Sequence, residues 1–166
     1  MKRNECNVCN NHMDFAFRGI ILKKHEVQYF YCSMCGYLRT ETPFWLEEAY
    51  SSVIASTDTG ILRRNLSNQK LLKLILPLLN IKDQSLIDIG GGYGILTRLL
   101  RDIGYDSYHF DPMCENLFAK EFVPVINQQF ETALAFEVLE HIQNPLEFFR
   151  LKIKQYKLKT IIFSTL

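Results

Sequence analysis

The sequence lacks several features that mark particular classes of protein. Its 166 residues carry a formal net charge of only +1, so the strongly basic footprint of most nucleic-acid binders is missing. The most apolar tract, Leu71–Ile81, is too short to cross a bilayer and contains Lys73 and Pro77. The opening stretch Met1–Cys9 is polar, unlike a secretory signal. These absences disfavour nucleic-acid and membrane partners and predict a cytoplasmic protein.

Two common phosphate-binding patterns are also missing, although glycine is concentrated in one stretch. The segment Ser85–Pro112, SLIDIGGGYGILTRLLRDIGYDSYHFDP, predicts a strand, a glycine turn, a helix and a second strand. A dinucleotide fingerprint counted from Gly90 and Gly92 would need a third glycine where the chain has Ile95. No Gly-Lys-Ser/Thr sequence follows the turn, so a phosphate loop is excluded as well.

The pattern that is present consists of an acid, spaced glycines and a second acid. Asp88 precedes Gly90, Gly92 and Gly94, and Asp111 follows the second predicted strand. Glycine permits backbone angles and close approaches that a Cβ would forbid. Open α/β sheets bind ligands at the carboxyl ends of their strands, where an acid can accept both hydroxyls of a ribose. The alternative is a glycine turn that merely connects a strand to a helix.

This pattern resembles motif I of the class I S-adenosylmethionine-dependent methyltransferases. A second stretch, from Glu137 through Glu140 and His141 to Pro145, is similar to the E-x-L-E-H-x-x-x-P run that many of these enzymes carry beyond their fourth strand. The resemblance implies an α/β fold with a Rossmann-like, doubly wound and mostly parallel sheet. It also implies S-adenosyl-L-methionine as the cofactor.

The same resemblance implies roles for individual residues. Gly90, Gly92 and Gly94 would line the methionine and ribose part of the cofactor, Asp88 would orient the loop or the amino group, and Asp111 would hold the ribose. Further expected contacts with the cofactor are Phe136, Glu137 and Tyr50.

His141 and Glu140 are the predicted catalytic base and its alternative. His141 is the one histidine placed near the predicted chemistry, and an imidazole titrates where a proton acceptor is useful. The competing interpretation is that both side chains only fix the loop through hydrogen bonds.

A metal site is predicted in the N-terminal part of the chain. Cys6-x-x-Cys9 and Cys32-x-x-Cys35 have the spacing of a four-thiolate Zn²⁺ site. The β-prone segment Glu26–Tyr31 lies between them and predicts a small zinc ribbon with a hairpin. Disulfides are the alternative, but a fifth cysteine and no secretion signal favour a reducing compartment. Four thiolates close the coordination sphere, which predicts a purely structural zinc.

The predicted domains are a zinc-ribbon-like lobe at 1–42, a connecting segment at 43–65 that covers the cofactor, and a methyltransferase core at 66–166. The core is expected to contain a helix at Leu66–Leu79, a short helix at Cys114–Lys120 and about five strands. The third, fourth and fifth strands are placed at Phe122–Ile126, Thr132–Phe136 and Thr160–Leu166. Methyltransferases of this class usually have seven strands, so we expect a truncated chain whose fifth strand has an edge prone to self-association.

The predicted function is methyl transfer to a small-molecule or carrier-linked acceptor. A zinc ribbon ahead of such a core also resembles the deoxysugar C-methyltransferases, which implies a sugar acceptor. One alternative is an RNA methyltransferase that grips its substrate with the ribbon, although the acidic side chains of this lobe offset its few basic ones. Another is a non-catalytic fragment in which the ribbon binds a protein.

Overall fold

The computed structural model describes residues 5–49, 59–81 and 85–165. It divides the chain into two compact units. The first comprises Met1–Val53 and Ile142–Phe149, and the second comprises Ile54–His141 and Arg150–Leu166. None of the helices formed by the described residues is long and apolar enough to cross a membrane.

The first unit is built on a small antiparallel sheet. Its strands β1 (Asp14–Ile21), β2 (His25–Tyr31) and β3 (Leu38–Thr40) are hydrogen-bonded in that order. Aromatic and β-branched side chains dominate β2, as expected for a strand, and β2 contains the predicted segment Glu26–Tyr31. A short helix α1 (Leu46–Ala49) follows.

The second unit contains a parallel sheet of four strands, which confirms the predicted α/β class. The strands are β4 (Leu86–Ile89), β5 (Ser107–Phe110), β6 (Thr132–Ala135) and β7 (Thr160–Phe163). Their order is β5-β4-β6-β7, and each neighbouring pair runs parallel. All residues of the two central strands are buried, which accounts for their nearly continuous apolar sequences.

Three longer helices accompany this sheet in the chain. They are α2 (Ile61–Leu78), α3 (Ile95–Asp102) and α4 (Pro145–Tyr156), and a 3-10 turn covers Leu139–His141. The core of the second unit joins α2 and α3 to the sheet through the buried side chains of Leu72, Leu76, Leu86, Leu96, Leu100 and Leu134. Helix α2 begins five residues earlier than the predicted Leu66–Leu79 and keeps Pro77 in its last turn.

The predicted third strand at Phe122–Ile126 is wrong. This segment makes one backbone hydrogen bond to the sheet edge, from the amide of His109 to the carbonyl of Phe122 at 2.7 Å. Pro124 has no N–H to continue a ladder, and Val125 and Ile126 are 71% and 92% exposed. With no apolar face to bury, the segment gains little from joining the sheet.

The predicted short helix at Cys114–Lys120 is also wrong. The side-chain oxygen of Asn116 accepts a hydrogen bond from the amide of Ala119 at 2.8 Å, and its side-chain nitrogen donates to the carbonyl of Ala119 at 2.9 Å. These bonds compete with the backbone bonds of a helix. The amides of Leu117 and Phe118 donate instead to the carbonyl of Tyr93, at 3.0 Å each.

Candidate functional site

The turn after β4 requires glycine at several positions. Gly90, Gly92 and Gly94 have φ angles of +72°, +58° and +83°, in the left-handed region that favours glycine. A Cβ built on Gly90 would lie 2.6 Å from Cγ2 of Val138, and one on Gly94 would lie 2.9 Å from Cβ of Ala119. The missing Cβ atoms therefore let the turn pack closely against Val138 and Ala119, while Gly90 and Gly92 stay partly exposed at the carboxyl end of β4.

Asp111 is directed at the glycine turn. Its Oδ2 accepts a hydrogen bond from the amide of Gly92 at 2.9 Å. Its Oδ1 accepts from the amides of Met113 at 2.8 Å and Cys114 at 3.0 Å. A carboxylate offers about four acceptor positions, so these three bonds fix the side chain and leave room on Oδ2 for one hydroxyl of a ligand.

Asp88 lies beneath the glycine turn within a buried polar cluster. Asp88, Thr97 and His109 are 2%, 0% and 2% exposed. The hydroxyl of Thr97 donates to Oδ2 of Asp88 at 3.2 Å, and Asp88 and His109 are directly paired between β4 and β5. A Cβ on Gly91 would lie 2.6 Å from Oδ2 of Asp88 and 2.7 Å from Nδ1 of His109. Gly91 therefore closes over both side chains.

Burial sets the protonation of this cluster. Desolvation raises the pKa of the Asp88 carboxyl to about 7, against the hydrogen bond from Thr97, and the nearby charge of Asp111 also raises it. Desolvation lowers the pKa of the His109 imidazole, and Asp111 opposes that change. Neither ring nitrogen of His109 has a hydrogen-bond partner among the described residues.

A second group of predicted residues follows β6. The amide of Glu137 donates to the hydroxyl of Ser164 at 3.1 Å, and Nε of Arg64 lies 3.1 Å from Oε2 of Glu137. Glu137 has a φ of +54°, a conformation that costs free energy in a residue with a Cβ. Phe136 packs instead against the core formed by α2, α3 and the sheet.

The predicted base and its alternative lie on an exposed turn. Glu140 and His141 belong to the 3-10 turn Leu139–His141, and both side chains are exposed. The turn is closed by the amide of His141, which donates to the carbonyl of Val138 at 3.0 Å. Tyr50, the remaining predicted contact, lies outside the described residues.

The structure thus brings Asp88, Gly90, Gly92, Gly94 and Asp111 together at one edge of the sheet. Sequence reasoning missed two residues that complete this region, namely Thr97 and His109. Alternation in the Ser-Tyr-His-Phe strand places His109 on the same face as Ser107, but only the packing of the sheet buries that face.

The four predicted metal ligands form a separate cluster in the first unit. The Sγ atoms of Cys6, Cys9, Cys32 and Cys35 all lie within 4.8 Å of one another. Two Sγ pairs, Cys6 with Cys35 and Cys9 with Cys32, are separated by 3.5 Å, too far for the ~2 Å of a disulfide bond. Neither of the first unit's histidines, His12 or His25, belongs to this cluster.

The two cysteine pairs are held by the same backbone arrangement. In the first, the amide of Asn10 donates to the carbonyl of Cys6 at 2.9 Å and Asn10 has a φ of +60°. In the second, the amide of Gly36 donates to the carbonyl of Cys32 at 2.9 Å and Gly36 has a φ of +77°. Each left-handed residue turns the chain immediately after a pair, so that both cysteines of the pair face the same point.

The cluster fits Zn²⁺. Four sulfurs at about 2.3 Å from a tetrahedral zinc are about 3.8 Å apart, close to the spacing of the Sγ atoms here. Hydrogen bonds from the side chain and backbone of Asn11 lower the pKa of the Cys9 thiol to about 6, whereas, against the hydrogen bond from the backbone of Tyr37, burial and the neighbouring thiols raise the pKa of Cys35 to about 12. The four sulfur donors therefore fit a Zn²⁺ ion.

Comparison with known families covers most of the second unit. A family model described as a methyltransferase domain matches residues 62–162, which is more than half of the chain. The matched region begins in α2 and ends in β7, and it includes the glycine turn, Asp111 and the 3-10 turn after β6. The comparison with curated proteins gave no match.

Proposed function

Because the chain belongs to the family of methyltransferase domains, we propose that it transfers a methyl group from S-adenosyl-L-methionine to a small-molecule or carrier-linked acceptor, such as a sugar. One observation carries this proposal. Asp111 is bonded to the amide of Gly92 at the carboxyl ends of parallel strands, where α/β sheets bind their ligands. The acid and the backbone of the partly exposed Gly92 are thereby held side by side.

The residues of the turn fit the proposed methyl donor. The donor carries no pyrophosphate, so it needs close backbone contact more than a strongly anion-binding loop. Gly90, Gly92 and Gly94 are proposed to supply that contact, in left-handed backbone conformations that favour glycine. The remaining acceptor position on Oδ2 of Asp111 suits a ribose hydroxyl. Glu137, paired with Arg64, lies at the end of β6 and is proposed to contact the methionine part.

Methyl transfer requires the protein mainly to align the donor with the acceptor. Bound S-adenosylmethionine supplies a methyl group on a sulfonium, which is already a good electrophile. The chain holds the donor at the glycine turn and brings the acceptor into line, because orientation alone supplies much of the rate of such a displacement. For an oxygen or carbon acceptor, His141 or Glu140 is proposed to remove a proton, and both are accessible on their exposed turn.

The zinc cluster is proposed to be structural. Cys6, Cys9, Cys32 and Cys35 would provide four thiolates and leave no open coordination position for water or substrate. The core around the cluster is small, with Met13 as the buried apolar residue beside Cys6 and Cys32. Metal binding would therefore supply much of the folding free energy of this unit, on the order of 10 kcal/mol.

Isothermal titration calorimetry with S-adenosylmethionine and S-adenosylhomocysteine tests the proposal. We expect both ligands to bind the unaltered protein, and Asp111→Ala to weaken binding at least tenfold because it loses the ribose contact and the anchor of Gly92. The matched control is Asp106→Ala, an exposed acid before β5 that pairs with Arg101 at 2.9 Å and should bind normally. Absence of binding to the unaltered protein would contradict the proposal and favour a non-catalytic scaffold.

A further inference from the structure

Asp88 and His109, here called the buried pair, lie in an otherwise apolar layer. In the ladders of the sheet Asp88 pairs with His109 on one side and with Leu134 on the other, and Leu134 belongs to the hydrophobic core. Two titratable side chains in such a place are costly, because burial withdraws their hydration. Apolar side chains would fill the same space without that cost, so packing alone does not explain the buried pair.

Below pH 7 the carboxyl of Asp88 is mostly protonated, because its pKa is raised to about 7. Oδ2 of Asp88 and Nδ1 of His109 both lie within 2.7 Å of one point, the position of a Cβ on Gly91, so we count the protons of the two side chains together. A neutral acid beside a neutral imidazole and a carboxylate beside an imidazolium contain the same one proton and the same zero net charge. Loss of that proton leaves a single buried negative charge.

The surroundings resist that loss in the ligand-free protein. The acid facing the buried pair is Asp111, whose negative charge raises the pKa of both members. Helix α3 contributes the uncharged hydroxyl of Thr97, β6 contributes Leu134, and the one ionisable side chain of the glycine turn is the phenol of Tyr93. A positive charge on the turn would change this balance, because it would stabilise the deprotonated pair through a site of low dielectric constant.

We propose that the buried pair releases its proton to solvent when the sulfonium of S-adenosylmethionine occupies the glycine turn, and retains it when the uncharged thioether of S-adenosylhomocysteine does. This inference rests on the proposed function. No bond to the ligand is formed; the proton leaves the buried pair, whose net charge becomes −1 opposite the cationic sulfur. Above neutral pH the buried pair therefore favours the donor over the spent product, which assists product release.

Calorimetry of both ligands in phosphate and in Tris, which differ in ionisation enthalpy, counts the protons released. With the pKa of Asp88 at about 7, we expect binding of S-adenosylmethionine at pH 7 to release about half a proton more than binding of S-adenosylhomocysteine. The preference for S-adenosylmethionine should rise with pH up to about 7 and become constant above it. Asp88→Asn should abolish the difference, whereas Asp102→Asn, an exposed acid at the far end of α3, should preserve it.

The possible results separate this inference from the proposed function. If both ligands bind and release equal numbers of protons, the inference is overturned and the function stands. If neither binds, both fail. A difference that persists in Asp88→Asn assigns the proton to another group and also overturns the inference. If Asp88→Asn does not fold, Thr97→Val replaces it: loss of the Thr97 bond should move the proton release to higher pH, and an unchanged pH profile would be contrary to the inference.

Discussion

Replacement of Asp88 by asparagine should change how the stability of the second unit depends on pH. The folded protein raises the pKa of Asp88 from its ordinary value of 3.8 to about 7. Between these two values the folded state keeps a proton that the unfolded chain has lost. The contribution of Asp88 to the free energy of unfolding is therefore fully present below pH 3.8, declines as pH rises towards 7, and is lost above that. Asparagine does not titrate, so the variant lacks this decline.

The expected magnitude follows from the same values. Each pKa unit corresponds to about 1.4 kcal/mol, so ionisation of Asp88 costs the folded state on the order of 4 kcal/mol. The contribution of His109 to the free energy of unfolding depends on pH in the opposite direction. Because the pKa of His109 is lowered from 6.5 in the folded protein, this contribution is lost as pH falls below 6.5. The pH dependences of the Asp88 and His109 contributions partly cancel in the unaltered protein. In Asp88→Asn only the pH dependence of the His109 contribution remains, so the variant should be relatively less stable in acid.

The measurement is urea unfolding of both proteins from pH 5 to 8.5. Far-UV circular dichroism follows the second unit through α2 and α3, while the single tryptophan, Trp45, reports the first unit by fluorescence as an internal control. The stability of Asp88→Asn relative to the unaltered protein should rise by about 1.4 kcal/mol per pH unit up to about pH 7 and then level off. A difference independent of pH would refute the assignment of the raised pKa to Asp88.

Three further predictions concern metal, backbone and core. Cys32→Ser should lower the bound zinc, measured by atomic emission, from one ion per chain to none, whereas Cys114→Ser should retain it. Gly94→Ala should abolish binding of S-adenosylmethionine in calorimetry because its Cβ meets Ala119, whereas Gly104→Ala, with an equally left-handed φ of +93° but open space around it, should lose only stability. Leu100→Ala should lower the free energy of unfolding by about 2–5 kcal/mol in urea; a loss below 1 kcal/mol would contradict its place in the core.

The sequence predicted those helices and strands that follow from a local pattern or from a periodic spacing of apolar residues. β4 and β6 are short apolar runs, and α3 follows a glycine turn with leucines at helical spacing, so each could be recognised without knowledge of its neighbours. The prediction of a strand at Phe122–Ile126 was wrong because the composition of this segment suits a strand, whereas its surroundings offer no apolar layer to pack against. Whether a segment joins a sheet edge is decided by tertiary contacts, which periodicity does not contain.

The same distinction separates the predicted residues of the candidate site from the missed ones. The glycines and the paired cysteines are recognisable because each of them satisfies a local backbone or coordination requirement. Thr97 and His109 were missed because their roles arise only when α3 and β5 pack against β4. In the sequence Thr97 is an ordinary helix residue and His109 an ordinary strand residue, and neither is close to Asp88. The ionisation of Asp88 depends on both elements, so no local pattern could have revealed it.

The cost of burying Asp88 bears on the proposed function. A domain of this size is stable by about 5–15 kcal/mol, so a penalty on the order of 4 kcal/mol above neutral pH is a large fraction of the total. Asparagine would retain the shape and an acceptor for the Thr97 hydroxyl without that penalty. An ionisable group at this position is accounted for if its charge is used, and the glycine turn is a place for that use. The glycine turn covers Asp88 directly through Gly91, so a cation bound there offsets the penalty, and the ionised carboxylate stabilises the bound cation in return.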